Sequence, residues 1–506
     1  MQLAQLITAL HSKKVKGTTL INIKHLSHNS KSAGQDGLFV ALKGSHSNGH
    51  DFVAEAIASG ARAVIVEEDT EAGAGVTVIK VPDTRIALAL VADCFYEHPS
   101  EQLTVIGVTG TNGKTTTTYL IESILKEAGY RPGVIGTVEY RFGEHHRPAP
   151  NTTPNPLDLQ AIIREMVEAH VTHLIIEVSS HALEQHRVEA LNFDVAVFTN
   201  LSAEHLDYHG TMENYARAKE LLFSYYLNQS RKEKTYALIN YDDALGKSLC
   251  TITHAQLLRY GIKEGIEIRM KGMTLNHDGL SLQVITPQGE IELHSALIGS
   301  FNSANILAAL GVALTQHIPL ATIKRGIASL QHIPGRLERV PNSKGLTILI
   351  DYAHTSDALV QVLNTLRDLK PKRLITVFGC GGDRDTTKRG PMGKEATRRS
   401  DIAIITSDNP RTEDPLDIIK QIEAGIDKAA IATLRQLELA GTEHNHPGYA
   451  IIPDRREAIR AAVSLTKPGD ILLIAGKGHE DYQIIGNQKY HFSDREEVSG
   501  ALSRLS

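Results

Sequence analysis

The chain is 506 residues long and 42% of them are hydrophobic, so the sequence predicts about three globular domains, each with its own core. A formal net charge of −5 provides no overall basic field, which argues against nucleic acid as a partner. The chain has three cysteines and no apolar run near the roughly 18–20 residues of a membrane helix, so we expect a reducing, cytoplasmic location without membrane insertion.

Residues 1–98 are predicted to form a small N-terminal α/β domain. Residues 1–14 have the pattern of a mildly amphipathic helix and lack the order of a signal peptide. The other predicted elements of this domain are strands over residues 38–42 and 63–66 and a helix over residues 52–63. The dipeptide His98-Pro99 ends the helix that carries Cys94, because the residue before a proline disfavours the helical conformation.

Residues 99–335 are predicted to form a central domain that begins with a β-branched strand over residues 104–108. The segment Gly110-Thr111-Asn112-Gly113-Lys114-Thr115-Thr116 follows this strand and precedes a helix over residues 115–127. A glycine loop between a strand and a helix N-terminus is typical of a phosphate site, because it exposes backbone N–H groups to the ligand. Lys114 can neutralise nucleotide phosphates and the Thr115 hydroxyl can hold Mg²⁺, although the plain loop pattern has a glycine at the position of Val108.

Alternating strands and helices predict a largely parallel sheet with helices on both faces in the central domain. The predicted strands cover residues 174–178, 195–199 and 237–240, and the predicted helices cover residues 157–169 and 214–227. Polar residues follow the strands, at the sheet edge where ligands bind in open α/β folds.

Two segments at the ends of these strands are candidate sites. Glu177 offers the oxygen ligands that Mg²⁺ prefers, although a single glutamate more often caps a helix. Residues 199–210 combine histidines with acids directly after a strand, so we interpret His205 as a site residue, although a single histidine is more often a packed or surface residue. For Lys219, in the following helix, the pattern by itself predicts a solvent-exposed lysine.

Residues 336–506 are predicted to form a third α/β unit, which begins after the Pro-Gly turn at residues 334–335. Its predicted strands cover residues 347–350, 374–378, 402–406 and 471–475. Each strand is followed by a charged or glycine-rich segment, and these segments start at Asp351, Gly379, Asp408 and Gly476. The loop at residues 379–385 does not have the G-x-G-x-x-G spacing and supports a dinucleotide site only weakly. Residues 439–448 have the pattern of a surface insertion.

The glycine loop and the strand-end segments, in this order along the chain, resemble the Mur ligases and their folylpolyglutamate synthetase relatives. The resemblance covers nearly the whole chain and implies an α/β fold of three domains. These are a small N-terminal uridine-diphosphate domain, a central P-loop-type ATPase domain with a mostly parallel sheet, and a Rossmann-like C-terminal domain. The implied activity is amide formation with ATP and Mg²⁺, through an acyl phosphate.

The resemblance also implies roles for residues around the nucleotide. The implied ATP-binding residues are Gly110, Thr111, Asn112, Gly113, Lys114, Thr115, Thr116, Asn302, Asn305, Arg336 and Asp351. The implied catalytic residues are Lys114, Lys219, Glu177 and His205. Lys219 matches a family lysine that CO₂ converts to N6-carboxylysine, and the implied Mg²⁺ ligands are Thr115, Glu177, His205 and this carbamate. Asn302 is open to a second interpretation as a helix cap.

The implied substrates are UDP-N-acetylmuramoyl-L-alanyl-D-glutamate and meso-diaminopimelate, and we expect a monomer. Residues matched to the first substrate are Ser30, Asn151, Thr152, Thr153, Ser179, Gln185 and Arg187. Most members carry Asp-Ser-Arg where this chain has Asn29-Ser30-Lys31, so an ordinary loop serine is the alternative for Ser30. Residues matched to diaminopimelate are Arg384, Asp408, Asn409, Pro410, Arg411, Gly476 and Glu480.

Several alternatives stay open at the level of the sequence. The chain could add L-lysine, or it could be a folylpolyglutamate-type or cyanophycin-type ligase; the Asp-Asn-Pro-Arg motif and the uridine-type N-terminal segment argue against the latter two. A regulator that binds nucleotide to switch partners would need neither a carboxylate nor an amine substrate. The alternative for Arg411 is an exposed ion pair with Glu413 or Asp414, which would contribute little.

Overall fold

The N-terminal, central and C-terminal parts of the chain are each built around a β-sheet. The computed structural model describes residues 1–44, 47–276, 279–434 and 448–505 and contains sheets of five, eleven, seven and two strands. The predicted insertion at residues 439–448 therefore lies outside the described residues, apart from Gly448. No helix within the described ranges is long and apolar enough to cross a membrane.

The five-stranded sheet belongs to the N-terminal part, with the order β1-β5-β4-β3-β2, and it is parallel apart from β1. Its strands are β1 Lys14–Lys16, β2 His25–Ser27, β3 Gly37–Val40, β4 Ala61–Val66 and β5 Thr77–Lys80. The helices are α1 Leu3–Leu6, α2 Val53–Ala58 and α3 Thr84–Phe95, with 3₁₀ turns at Ile7–Ala9, Ser30–Ser32, Gly49–Phe52 and Pro99–Gln102.

Two predicted helices are shorter than expected. The helix predicted over residues 1–14 ends within ten residues of the N-terminus, because Lys14–Lys16 instead forms β1 and pairs with β5. The helix predicted over residues 52–63 ends at Ala58. Gly60, at φ +109°, then reverses the chain into β4, a termination that glycine allows without steric cost.

The eleven-stranded sheet forms the central part, with the order β16-β15-β14-β13-β12-β11-β6-β10-β7-β8-β9. Its strands are β6 Thr104–Thr109, β7 Pro132–Ile135, β8 Glu139–Phe142, β9 His145–Pro148, β10 His173–Glu177, β11 Val195–Phe198, β12 Tyr236–Asn240, β13 Gln256–Gly261, β14 Ile268–Asn276, β15 Gly279–Thr286 and β16 Gly289–Ser295. Its helices are α4 Lys114–Glu127, α5 Pro156–Glu168, α6 Ser180–Glu184, α7 Leu206–His209, α8 Met212–Leu221, α9 Ala244–Ile252, α10 Asn302–Thr315 and α11 Leu320–Ser329, and a π-helical turn at Leu222–Tyr226 continues α8.

The register of the central strands places the candidate residues side by side. β6 lies between β10 and β11, and its pairings with both strands are parallel. Val108 is opposite Glu177, and Thr109 is opposite Phe198, so the glycine loop, Glu177 and the segment after β11 leave the sheet at the same edge. Helices α4, α10 and α11 cover one face with an apolar core, and α5 and the π-helical turn cover the other.

The seven-stranded sheet forms the C-terminal part, with the order β17-β18-β23-β19-β20-β22-β21, and it is parallel apart from β17. Its strands are β17 Glu338–Arg339, β18 Thr347–Asp351, β19 Leu374–Phe378, β20 Ile402–Ile405, β21 Ala432–Thr433, β22 Gly448–Ile451 and β23 Ile471–Ala475, and β24 Tyr482–Ile485 and β25 Gln488–His491 form a separate hairpin. The helices are α12 Ser356–Asp368, α13 Arg389–Arg399, α14 Pro415–Glu423, α15 Arg455–Leu465 and α16 Asp494–Leu502.

This architecture confirms the predicted α/β class, with a mostly parallel sheet behind the glycine loop. The antiparallel strands at both margins of the central sheet, β7 to β9 and β14 to β16, were not predicted. The domain limits at residues 98 and 335 stay predictions.

Candidate active site

Gly110 and Gly113 shape the loop between β6 and α4. Their φ angles of +144° and +86° are ones that residues with side chains rarely adopt. A Cβ atom would lie 1.9 Å from Oγ1 of Thr199 at Gly110 and 2.3 Å from Oδ1 of Asn305 at Gly113. The loop is therefore packed between the end of β11 and the start of α10, and both its conformation and the available space require glycine.

The segment after β11 holds this loop by hydrogen bonds. Thr199 Oγ1 donates to the carbonyl oxygen of Asn112 at 2.6 Å, and Asn200 Oδ1 accepts from the N–H of Asn112 at 3.0 Å. The N–H of Thr111 donates to the Asn200 carbonyl at 2.8 Å, and the Thr111 hydroxyl lies 3.1 Å from the hydroxyl of Tyr215. The protein thus fixes the loop through its own contacts, in a form that can accept phosphate at the start of α4.

The buried Lys219 and the half-buried Lys114 meet at the carbonyl oxygen of Gly110. Lys114 Nζ donates to this oxygen at 2.9 Å and Lys219 Nζ donates to it at 2.8 Å. Burial lowers the pKa of Lys114; burial and the charge of Lys114 hold the pKa of Lys219 well below the ordinary lysine value. An anion bound here would relieve the repulsion between the two amines, so the pair favours a phosphate ligand.

The prediction of a solvent-exposed Lys219 is wrong. The residue is 1% exposed, because α8 packs it against the glycine loop, and Nζ lies 4.5 Å from the centre of the Tyr215 ring. This burial could not be predicted from the local pattern, because the neighbouring helical residues Arg217 and Glu220 are charged.

Glu204 is a site residue that the sequence analysis missed. Burial acts to raise the pKa of the Glu204 carboxyl, but Lys114 and other nearby cations outweigh this effect and bring the pKa below its ordinary value. Its neighbour His205 has a φ angle of +57° and places Nε2 3.9 Å from Oε2 of Glu204. Burial lowers the pKa of His205, so a neutral imidazole is present at neutral pH. The sequence feature that could have identified Glu204 is its position within residues 199–210, the segment that combines histidines with acids.

Glu177 is buried at the carboxyl end of β10 and caps no helix in the described ranges. Its Oε1 accepts from the N–H of Thr137 at 3.2 Å, and its Oε2 accepts from the Thr137 hydroxyl at 2.8 Å. The described residues contain no group of three or more His, Cys, Asp or Glu side chains placed to hold a metal. The oxygen donors of Glu177 and Thr115 nevertheless fit Mg²⁺, which proteins hold through one or two carboxylates together with substrate phosphates.

The residues matched to the dipeptide substrate gather around Glu177, with the exception of Ser30. The Thr153 hydroxyl donates to the carbonyl of Glu177 at 2.8 Å, and the N–H of Ser179 donates to the same hydroxyl at 3.1 Å. Arg187 donates to the carbonyl of Thr153 at 2.8 Å and to Oε1 of Gln185 at 2.7 Å. Thr152, next to Asn151 in the same turn, places its hydroxyl 3.1 Å from that of Thr137.

Ser30 lies apart, in the N-terminal unit. It is buried, and its hydroxyl donates to Oε2 of Glu55 at the start of a 3₁₀ turn. The structure therefore places Ser30 in an ordered turn rather than in an ordinary exposed loop.

Arg336 connects the central and C-terminal units. Its Nη2 donates to the Thr115 hydroxyl at 3.3 Å, and its guanidinium lies 5.0 Å from the centre of the Tyr352 ring. Its buried Nε has no hydrogen-bond partner within the described residues, so this N–H is available to an anion such as phosphate. The carboxylate of Asp351 accepts from the N–H groups of Leu337 and Ala353, each at 2.8 Å, so it fixes the turn that carries Arg336.

Asn302 and Asn305 form one face of α10 beside the loop. Asn305 Nδ2 donates to Oδ1 of Asn302 at 2.9 Å, and Asn302 Nδ2 donates to the carbonyl of Ile298 at 2.8 Å. Asn302 is the first residue of the helix and does not cap it, so the capping interpretation is wrong.

The residues matched to diaminopimelate meet at the carboxyl ends of β20 and β23. Asn409 Nδ2 donates to Oε2 of Glu480 at 2.9 Å, and a Cβ atom on Gly476 would lie 3.8 Å from Oδ2 of Asp408. The carbonyl of Pro410 packs against Gly382, where a Cβ atom would be only 1.9 Å away. Arg384 is exposed, and its Nη1 donates to the carbonyl oxygen of Asp383 at 3.5 Å.

Arg411 makes no ion pair within the described residues. Its Nη1 donates to the carbonyl of Gly382 at 2.7 Å. Glu413 pairs instead with Arg389 at 2.8 Å, and Asp414 caps α14. The interpretation of Arg411 as the partner of either acid is therefore wrong, and its guanidinium is available to an anionic ligand.

Together these features define a three-domain α/β protein in which a nucleotide-binding loop of one unit faces a charged strand-end cluster of another. Three family models match consecutive parts of the chain: the Mur ligase family, catalytic domain, over residues 22–96, the Mur ligase middle domain over residues 108–313, and the Mur ligase, glutamate ligase domain over residues 335–478.

Similar proteins extend over the full chain. A UDP-N-acetylmuramoyl-L-alanyl-D-glutamate--2,6-diaminopimelate ligase from Geobacter metallireducens is 46% identical over 507 residues, which cover 100% of this chain and 99% of that protein. The ligase of the same name from Geobacter sulfurreducens is 45% identical and the match covers 99% of each chain. A solved structure of a ligase with this name has a TM-score of 0.70 and 32% identity and covers 99% of both chains. The chain therefore belongs to the Mur ligase family.

We predict that Gly113→Ala weakens ATP binding at least ~10-fold, because the added methyl group meets Asn305 at the start of α4 and a side chain strains the positive φ. Gly129→Ala is the matched control. Gly129 lies just after the same helix at φ +83°, but no atom lies within 4 Å of its added Cβ. Titration calorimetry with ATP measures both variants. Equal affinities of the two variants would show that the close approach to Asn305 does not matter for binding.

Proposed function

We propose that the chain is an ATP-dependent ligase that joins meso-diaminopimelate to the D-glutamyl carboxylate of UDP-N-acetylmuramoyl-L-alanyl-D-glutamate during peptidoglycan synthesis. The supporting observation is the 46% identity to a protein with the corresponding name over the full chain, because it spans all the units that would hold the three substrates. The guanidinium of Arg411, which donates to the Gly382 carbonyl but makes no ion pair within the described residues, supports the choice of amino acid.

The reaction has two steps. A glutamyl carboxylate oxygen attacks the γ-phosphorus of ATP, the bond to the bridging oxygen of ADP breaks, and an acyl phosphate forms. The neutral amine of the amino acid then attacks the acyl carbon, phosphate leaves with the bonding electrons, and the amine loses a proton. Lys114, beside the loop, and Arg336, from the C-terminal unit, offset the charge on the transferring phosphoryl group. Thr115 and Glu177 would hold Mg²⁺ together with the phosphates, and the metal would supply further charge neutralisation.

The assignment of substrates follows the geometry. The nucleotide phosphates occupy the glycine loop, with Asn302 and Asn305 nearby; the glutamyl end of the dipeptide lies at Thr153 and Arg187, next to Glu177; and the amino acid binds at Asp408 and Glu480. Ser30 contacts the uridine-diphosphate end. The proposal includes three domains over residues 1–98, 99–335 and 336–506 and a monomer in the cytoplasm, where the free thiols of Cys94, Cys250 and Cys380 persist.

We also propose that Lys219 is carboxylated by CO₂. Burial and the charge of Lys114 hold the pKa of its amine well below the ordinary lysine value, which favours the neutral, nucleophilic form that reacts with CO₂. Addition of CO₂ to the neutral amine and loss of a proton convert this group, whose Nζ lies 2.8 Å from the oxygen that Lys114 also contacts, into an anion. The repulsion between the two lysines becomes an attraction, and the carbamate and His205 add to the donors for Mg²⁺.

ATP turnover should require both the dipeptide and the amino acid, and Lys114→Ala should reduce it by at least ~10³-fold, because the transferring phosphoryl group loses its nearest cation. Phosphate release with each substrate omitted in turn is the measurement. Lys126→Ala, on the exposed side of the same helix, is the control and should keep normal turnover. Turnover without either co-substrate would favour a nucleotide switch, and normal turnover in Lys114→Ala would exclude the phosphate role of this lysine.

Lys219→Ala should be nearly inactive, with partial recovery when a short carboxylate such as acetate or formate is added in place of the carbamate. Steady-state rates with and without the carboxylate measure this effect. Arg217→Ala, on the exposed face of the same helix, should behave as wild type. A normal rate in Lys219→Ala would mean that the buried lysine has only a packing role.

Wild type should prefer meso-diaminopimelate over L-lysine, by up to ~10⁴-fold in kcat/KM, because lysine lacks the distal carboxylate and would leave Arg411 desolvated and unpaired. Arg411→Ala should lose most of this preference. The control is Arg398→Ala, an exposed arginine on α13. Competition assays with both amino acids measure this preference. A wild-type protein that prefers lysine would identify the lysine-adding alternative and would leave the proposed ligase chemistry unchanged.

A further inference from the structure

Lys477 is a fully buried cation with no role in the assignments above. It follows β23, between Gly476 at φ +116° and Gly478 at φ +54°, and its side chain is 0% exposed. The positive φ angles at both flanking glycines turn the strand end sharply. A Cβ atom on Gly478 would lie 2.7 Å from Cβ of Tyr352, so the turn is also packed tightly against the segment that follows β18.

The ammonium group of Lys477 contacts three residues from two different loops. Its Nζ donates to Oδ1 of Asp408 at 3.2 Å, to Oδ1 of Asn409 at 3.1 Å and to Oε2 of Glu480 at 3.4 Å. These three acceptors use all the donors of an ammonium group. The same Oδ1 of Asn409 also accepts from the N–H of Ile484 at 3.0 Å, so the Asn409 amide is held in one orientation, with Nδ2 toward Glu480.

The surroundings of Lys477 exclude a phosphate role, although Gly-Lys-Gly resembles a phosphate loop. Two carboxylates already surround the ammonium group, and a phosphate would be repelled by both. One cation against the two carboxylates of Asp408 and Glu480 leaves a net charge of −1. A second positive group, such as the ammonium of an amino acid, would complete the charge balance.

We propose that Lys477 is the positioning residue of the amino-acid site, which fixes Asp408, Asn409 and Glu480 as one receptor for an ammonium group of the incoming amino acid. This inference rests on the proposed function. Lys477 does not touch the amino acid; it acts through the three side chains that do. Without its charge, two carboxylates would face each other in a buried site, and one of them would take up a proton or turn away.

The pKa directions agree with this arrangement. Burial raises the pKa of the Glu480 carboxyl, against the opposing effect of Lys477, whereas Lys477 and Arg455 together bring the pKa of Asp408 below its ordinary value despite burial. Glu480 is therefore the carboxylate that depends most on Lys477 to stay ionised.

The test is Lys477→Met, which keeps a similar volume without the charge. We expect the KM for the amino acid to rise at least ~10-fold, because a buried charged hydrogen-bond partner is lost, while the KM values for ATP and for the dipeptide substrate change less than twofold. Lys489→Met is the control, since Lys489 lies over the Tyr482 ring nearby and, within the described part of the chain, makes no hydrogen bond or ion pair with the three receptor residues. If Lys477→Met does not fold, Lys477→Gln is measured in its place.

A double-variant cycle with Glu480→Gln distinguishes positioning from simple loss of structure. If Lys477 acts through Glu480, the loss of kcat/KM caused by Lys477→Met is at least ~5-fold smaller in the Glu480→Gln background. Equal losses in both backgrounds, or KM values that rise equally for all three substrates, would overturn the proposal. All variants are measured with whichever amino acid wild type adds, so failure of wild type to use diaminopimelate refutes the proposed function without deciding the role of Lys477.

Discussion

The attachment of the glycine loop to its two neighbours is the constraint on which the rest of the site depends. Gly110 and Gly113 allow the end of β11 and the start of α10 to approach the loop within distances that no side chain permits. The hydrogen bonds from Thr199 and Asn200 then fix the loop from one side, and Asn305 fixes it from the other. Because these contacts come from the protein itself, the cost of ordering a phosphate cradle is met during folding and not on ligand binding.

Both binding regions keep buried charge in an unbalanced state. At the loop, Lys114 and Lys219 share one carbonyl oxygen, with Glu204 as the acid that lowers their repulsion. In the C-terminal unit, Lys477 faces two carboxylates. The first region places the cationic donors Lys114 and Arg336 at the glycine loop, and the second sets one ammonium group against two carboxylates, so each suits the substrate group proposed for it: phosphate in the first case and ammonium in the second. Unbalanced buried charge is costly for folding, and this cost is characteristic of functional sites.

The sequence predicted the parallel strands and their ligand-bearing ends well, because buried β-branched runs such as residues 374–378 and 471–475 have a clear pattern and match the observed strands β19 and β23. The sequence-based prediction failed where contacts between distant residues determine secondary structure or burial. Short segments such as Lys14–Lys16 become strands only through pairing with a distant strand, and the antiparallel margins of the central sheet carry alternating, partly exposed residues. Burial of Lys219 and Lys477 depends on residues more than sixty positions away, which no local pattern reports.

The two charged regions belong to different units, so their distance is set by the contact between those units. Arg336 is one residue that joins them, through Thr115 on one side and the Tyr352 ring on the other. The turn that carries Arg336 is fixed by Asp351, at the end of β18, and Asp351 in turn accepts the N–H of Gly476 through its backbone carbonyl, one residue before Lys477. If a phosphate binds Arg336, as proposed, it therefore lies at one end of a series of contacts that leads to the turn carrying Lys477. The acyl phosphate must meet the amine before water reaches it, and this series of contacts connects the phosphate side of the proposed site to the loop that is proposed to bind the amine.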